Sequence, residues 1–138
     1  MSHKELRDNP NYLSVVVQKT NVESGVAIHY IAKRVKKMPK QFQIAGNKDK
    51  RGITSQRITI NRCNAEQLIR QQRTKDWDNK IKVGSFERVH KPLKLGSLMG
   101  NRFSVALRFI PDEVPDTQIK SYVDSVAKNG FINYFLCS

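Results

Sequence analysis

A short loop bounded by Gly46 and Gly52 joins two segments that read as strands, Gln41–Ala45 (QFQIA) and Ile53–Arg62 (ITSQRITINR). Their side chains alternate in the strand period, and Gly46 breaks the first of them. A tight loop between two strands holds a reactive side chain rigidly. At its centre is Asp49, the only acidic residue between Glu23 and Glu66. It stands among Lys48, Lys50 and Arg51, with Lys40, Arg57 and Arg62 not far off in sequence. Neighbouring cations favour the charged form of a carboxylate, so Asp49 is expected to be ionised at neutral pH. An ionised carboxylate can act as a nucleophile or a base. The cations beside it can hold a polyanion such as RNA. On residue chemistry alone, the simpler reading is a solvated counter-charge in a basic loop.

The rest of the chain alternates between the two periodicities. Tyr12–Lys19 (YLSVVVQK) is rich in β-branched residues and reads as a strand. Asn21 is expected to cap the helix that follows, whose apolar stripe is Val22, Val26, Ala27, Tyr30, Ile31 and Val35. Lys33, Arg34, Lys36 and Lys37 fall at its C-terminal end, where the helix dipole favours cations, and Pro39 stops it. His29, inside this helix, reads as a structural or surface residue. Asn64 and Gln67 have capping-box spacing for a second helix running to about Thr74. Trp77 is expected at the rim of the core. Lys80–Val89 alternates as a strand with a bulge at Gly84, and Arg102–Ile110 (RFSVALRFI) has the clearest strand pattern in the chain. A third helix carries Ile119, Tyr122, Val123 and Val126, with Asp116 at its start and Asn129-Gly130 at its end. The closing FINYFLCS reads as a final strand. The order β-α-β-β-α-β-β-α-β implies an α+β fold, a mixed or antiparallel sheet with helices on one face.

The 138 residues amount to one domain, with residues 1–11 as a flexible N-terminal segment and 12–138 as the folded part. Charge is the strongest compositional signal. The chain carries a net +13, and Lys33–Arg108 alone holds 20 Lys/Arg against 5 Asp/Glu, a net +15. The excess therefore lies wholly in the middle of the chain, which points to a nucleic-acid partner. No apolar run has the length of a membrane span, and no membrane partner is expected. Cys63 and Cys137 form no pair motif and read as free thiols in a reducing compartment. The histidines are scattered, so no metal-ligand spacing occurs.

Three separated stretches then resemble one family: Ala45–Gln56 (AGNKDKRGITSQ), Pro92–Arg108 (PLKLGSLMGNRFSVALR) and Gly130–Phe135 (GFINYF). Together they resemble part of the catalytic domain of a TruD-type tRNA pseudouridine synthase, in its eukaryotic branch. The resemblance implies an enzyme that isomerises uridine to pseudouridine within RNA, tRNA first among the substrates, with no cofactor or metal. It implies that Asp49 is the essential aspartate, acting on the ribose as nucleophile or base. It implies that Asn101 and Phe103, of a Gly-Asn-x-Phe element, approach the target nucleotide. A flipped uracil needs partners for its polar edge and a surface for its face, and Asn and Phe offer these. Lys48, Lys50 and Arg51 are then expected to hold phosphates. Gly52, where the family commonly has Ala, is expected to loosen the loop slightly. The match covers a truncated part of that domain, so an uncovered sheet edge is expected, met by a second chain or by self-association. A nuclear and/or cytoplasmic location goes with this reading. The alternative, from a different class, is a non-catalytic RNA-binding fragment or short isoform of the same family.

Overall fold

The computed structural model describes residues 10–132, which form two compact units divided between Asn101 and Arg102. In the first unit the order is β1 (Tyr12–Thr20), α1 (Ser24–Arg34), a 3-10 turn (Pro39–Gln41), β2 (Phe42–Ile44), β3 (Ile53–Asn61), α2 (Ala65–Gln72) and β4 (Ile81–Val89). The strands make one antiparallel sheet ordered β2-β3-β1-β4. This is the expected α+β architecture.

The pleat sorts the side chains. Leu13 pairs with Ile60, Val15 with Ile58, and Val17 with Val83, so these residues share one face. Ala27, Ile31 and Val35 of α1 and Leu68 of α2 join them in a single buried cluster. Both helices thus cover the same side of the sheet, but Val26, expected in the α1 stripe, is exposed on its outer face. Trp77 closes one margin of this core: its indole Nε1 donates to the Ile81 carbonyl at 2.6 Å, and its ring meets Tyr30 edge-on at 5.3 Å. His29 is exposed on α1, with Nδ1 3.0 Å from the Gly25 carbonyl. The bulge expected at Gly84 is present, since Val16 pairs with Gly84 but Ser14 with Glu87. Ser85 takes the extra place with φ 53°. Cys63 is a free, buried thiol, and burial pushes it above its ordinary pKa.

Several expectations are corrected. Asn21 does not cap α1, whose N-cap is Glu23 without a side-chain bond. Asn21 instead turns the chain with φ 54° and clasps Gly52. Its N–H donates to the Gly52 carbonyl at 3.0 Å, and the Gly52 N–H donates to its Oδ1 at 2.8 Å. Gly52 has φ 108°, a conformation side chains resist, so glycine here fits the turn rather than loosening it. At α2, Asn64 does cap, accepting from the Glu66 N–H at 3.0 Å. Gln67 does not complete a capping box; its Nε2 reaches the Val35 carbonyl at 3.0 Å and ties α2 to α1.

The second unit holds α3 (Asp116–Asn129). Pro115 occupies its N-cap, so Asp116 lies in the first turn, where a carboxylate meets the dipole. Gly130 ends it with φ 73°, its N–H bonded to the Val126 carbonyl at 2.9 Å. Residues 102–110 form no strand. Alternation is a side-chain pattern, whereas a strand exists only as a hydrogen-bonded ladder. None of the described strands pairs with this segment, and Phe109 has φ 57°, outside the β region. Its alternate residues Phe103, Val105, Leu107 and Phe109 are all exposed. Of the closing FINYFLCS, residues 131–132 carry no strand, and the remainder lies outside the described residues, as do Cys137 and residues 1–9.

Two outcomes follow from this packing. Ile31→Ala, at a fully buried position, is expected to cost about 2–5 kcal/mol, and Val26→Ala on the outer face of the same helix roughly 0.5 kcal/mol or less, read as urea midpoints. Gly52→Ala is expected to destabilise by about 1–3 kcal/mol in the same assay, because Cβ is strained at this φ.

Candidate active site

The Asp49 loop leaves β2 and enters β3, and it is pinned from below by residues far from it in sequence. Ser24, at the first position of α1, is buried. Its hydroxyl accepts from the Lys48 N–H at 3.2 Å and donates to Gln56 Oε1 at 3.0 Å. Gln56 in turn donates to the Gly46 carbonyl at 3.3 Å. With the Asn21–Gly52 clasp, both ends and one shoulder of the loop are fastened.

The middle is held by Lys19. The inward row Leu13, Val15, Val17 continues to Lys19, which is only 2% exposed. Its ammonium donates to the Asp49 carbonyl at 2.6 Å and lies 3.5 Å from the Lys48 carbonyl. Burial pushes the Lys19 pKa below its ordinary value; the Asp49 carboxylate opposes this, Lys48 adds to it, and Glu23 weakly opposes it. Opposite Lys19 across the sheet, the buried Thr54 hydroxyl has no partner among the described residues.

A second segment reaches the loop from above. After β4 the chain runs back over the sheet. The Leu93 N–H donates to Thr59 Oγ1 at 3.0 Å, and the Gly96 N–H donates to the Ala45 carbonyl at 2.8 Å. Leu98 comes so close to Gly46 that a Cβ there would lie 3.1 Å from its Cδ1. This route ends at Asn101, whose Oδ1 accepts from Lys48 Nζ at 2.8 Å although the two lie 53 residues apart.

The structure therefore brings Asn101 to the Asp49 loop through Lys48. Lys48 is half-buried and engaged with Asn101, while Asp49, Lys50 and Arg51 are exposed. Among the described residues, no hydrogen bond or ion pair engages the Asp49 carboxylate, which leaves its oxygens to an incoming group. Phe103 belongs to the second unit and is 66% exposed. Among the described residues, no group of three or more His, Cys, Asp or Glu could hold a metal ion. Lys19, Ser24 and Asn21 were not read as site residues from sequence. The available signal was Lys19 itself, a charged residue at an inward position of a strand.

Comparison with known proteins gives this geometry a family. The model described as TruD, tRNA pseudouridine synthase D, matches residues 1–136. The pseudouridylate synthase 7 homolog of Mus musculus is 34% identical over 133 residues, which cover 96% of this chain and 19% of that protein. The probable tRNA pseudouridine synthase D 1 of Methanocaldococcus jannaschii is 32% identical over 129 residues, 91% of this chain and 30% of that one. The crystal structure of the putative tRNA pseudouridine synthase D from Methanosarcina mazei matches with a TM-score of 0.57 at 26% identity, over 64% of this chain and 19% of that one. The chain thus spans about a fifth of the length of the mouse relative. A family model matched over nearly the whole chain, on a fold shared with a solved member, establishes that this chain belongs to the TruD family of pseudouridine synthases.

Proposed function

We propose that this chain carries the catalytic aspartate of an RNA pseudouridine synthase, that the aspartate is Asp49, and that tRNA is its first substrate. The reaction is an isomerisation. The bond from the ribose anomeric carbon to uracil N1 breaks, the base turns, and a bond to carbon 5 forms; carbon 5 loses a proton and N1 gains one. The ribose must be activated for this exchange. An ionised carboxylate does so either by attacking the anomeric carbon or by taking a proton from the neighbouring carbon.

The observation that carries this reading is the placement of Asp49. Its main chain is fixed from beneath by Lys19, yet its carboxylate is exposed and makes no hydrogen bond or ion pair among the described residues. A reactive group held on a pinned loop keeps its geometry without losing access to substrate. Asn101, bonded to the neighbouring Lys48, has an amide suited to the polar edge of a base. Lys50 and Arg51 are exposed on the same loop, within reach of backbone phosphates.

The basic surface and the small share of its relatives' length also fit a second reading, an RNA-binding fragment without turnover. One experiment separates them. The purified chain is incubated with unmodified tRNA at low salt, and pseudouridine is detected by chemical adduct and primer extension. Product from the wild type and none from Asp49→Asn, with RNA binding retained, is the expected result. Equal product from both would remove Asp49 from the chemistry; binding without product from either favours the fragment. In both readings RNA affinity is expected to fall steeply with salt, about tenfold or more between roughly 50 and 200 mM for a handful of phosphate contacts, measured by filter binding.

A further inference from the structure

We infer that Lys19 is a positioning residue for Asp49: its buried ammonium donates to the Asp49 carbonyl and so holds the loop main chain from beneath, with the Asp49 carboxylate left exposed. The inference rests on the proposed role of Asp49.

The geometry is specific. Lys19 closes the inward row of β1, opposite Thr54 on β3 and Ile81 on β4, neither of which carries a charge. A lysine with only 2% of its surface exposed in such a place needs compensation, and the acceptors of its ammonium are the carbonyls of Asp49 at 2.6 Å and Lys48 at 3.5 Å. Three charged groups bear on it: Asp49 and Lys48 from the loop, and Glu23 from the start of α1. Only the two carboxylates favour its charged form, and Asp49 does so more strongly than Glu23. The carboxylate proposed to do the chemistry therefore also favours the charge that holds its own backbone, so loss of the Asp49 charge must be felt at Lys19.

The test follows the Lys19 Cε resonance by NMR titration in the full chain, in the wild type, Asp49→Asn and Glu23→Gln. Loss of the Asp49 charge is expected to move the Lys19 midpoint downward, and loss of the Glu23 charge to move it less. An unchanged midpoint in Asp49→Asn, or a larger shift in Glu23→Gln, overturns the pairing. Amide exchange in Lys19→Met supplies the second arm. Exchange at the loop amides that are bonded, Lys48 to the Ser24 hydroxyl and Gly52 to Asn21 Oδ1, is expected to rise roughly tenfold to a hundredfold, while Ile58 and Ile60 in the core stay protected. Equal loss of protection in loop and core would make Lys19 a plain fold determinant and end the inference. Where the wild type converts tRNA, Lys19→Met is expected to lower kcat by about tenfold to a hundredfold with KM little changed. A wild type without turnover defeats the functional reading alone, because the titration and exchange arms still decide whether Lys19 holds Asp49.

Discussion

The buried ammonium of Lys19 is the interaction on which the site depends. A charge taken out of water loses several kcal/mol of solvation unless its surroundings replace it. Here the replacement is main-chain carbonyl oxygen from the loop, together with the field of the Asp49 carboxylate. The lysine and the loop therefore stabilise each other. If the loop lifts, the ammonium is left facing an apolar row; if the ammonium goes, the Asp49 carbonyl loses its donor. Ser24, Gln56 and Asn21 repeat the pattern with neutral groups, each joining the loop to a regular element.

The sheet explains why these groups can converge. Antiparallel pairing over nine residues sets β1 against β3 so that Thr20 meets Ile53. The end of β1, the start of α1 and the exit of the loop must then lie together. The apolar rows below, from Leu13 to Val17, fix the register, since a slip of one residue would turn them outward. Core packing and site geometry are thus one constraint. The opposite face of the sheet is polar, with Ser14, Arg57 and Thr59, and Arg57 pairs there with Glu87 at 3.7 Å. It carries the return segment that delivers Asn101.

Much of this was legible in the residues. The periods of β1, β3, β4 and the first two helices were strong because each buries one face, and burial is what writes periodicity into a sequence. The loop was legible because its glycines, its lone carboxylate and its flanking strands agree. Asn21 was misread because the same side chain serves a helix cap and a tight turn, and local sequence does not choose between them. Residues 102–110 were misread because their alternation speaks for a face to be covered, not for a partner strand that supplies hydrogen bonds. The anchoring role of Lys19 depends on a contact 30 residues away, which no local pattern encodes.

The downward turn of two carbonyls has one more consequence. A trans peptide carries its C=O and the following N–H on opposite sides of the plane. When the Lys48 and Asp49 oxygens turn toward Lys19, the amides of Asp49 and Lys50 are aimed away from it. Neither is bonded among the described residues. Two donors are thus presented on the side of the loop away from the lysine. The lysine below thus orients the dipoles of the peptide units above it, and the loop meets its surroundings with polarised backbone as well as with side chains.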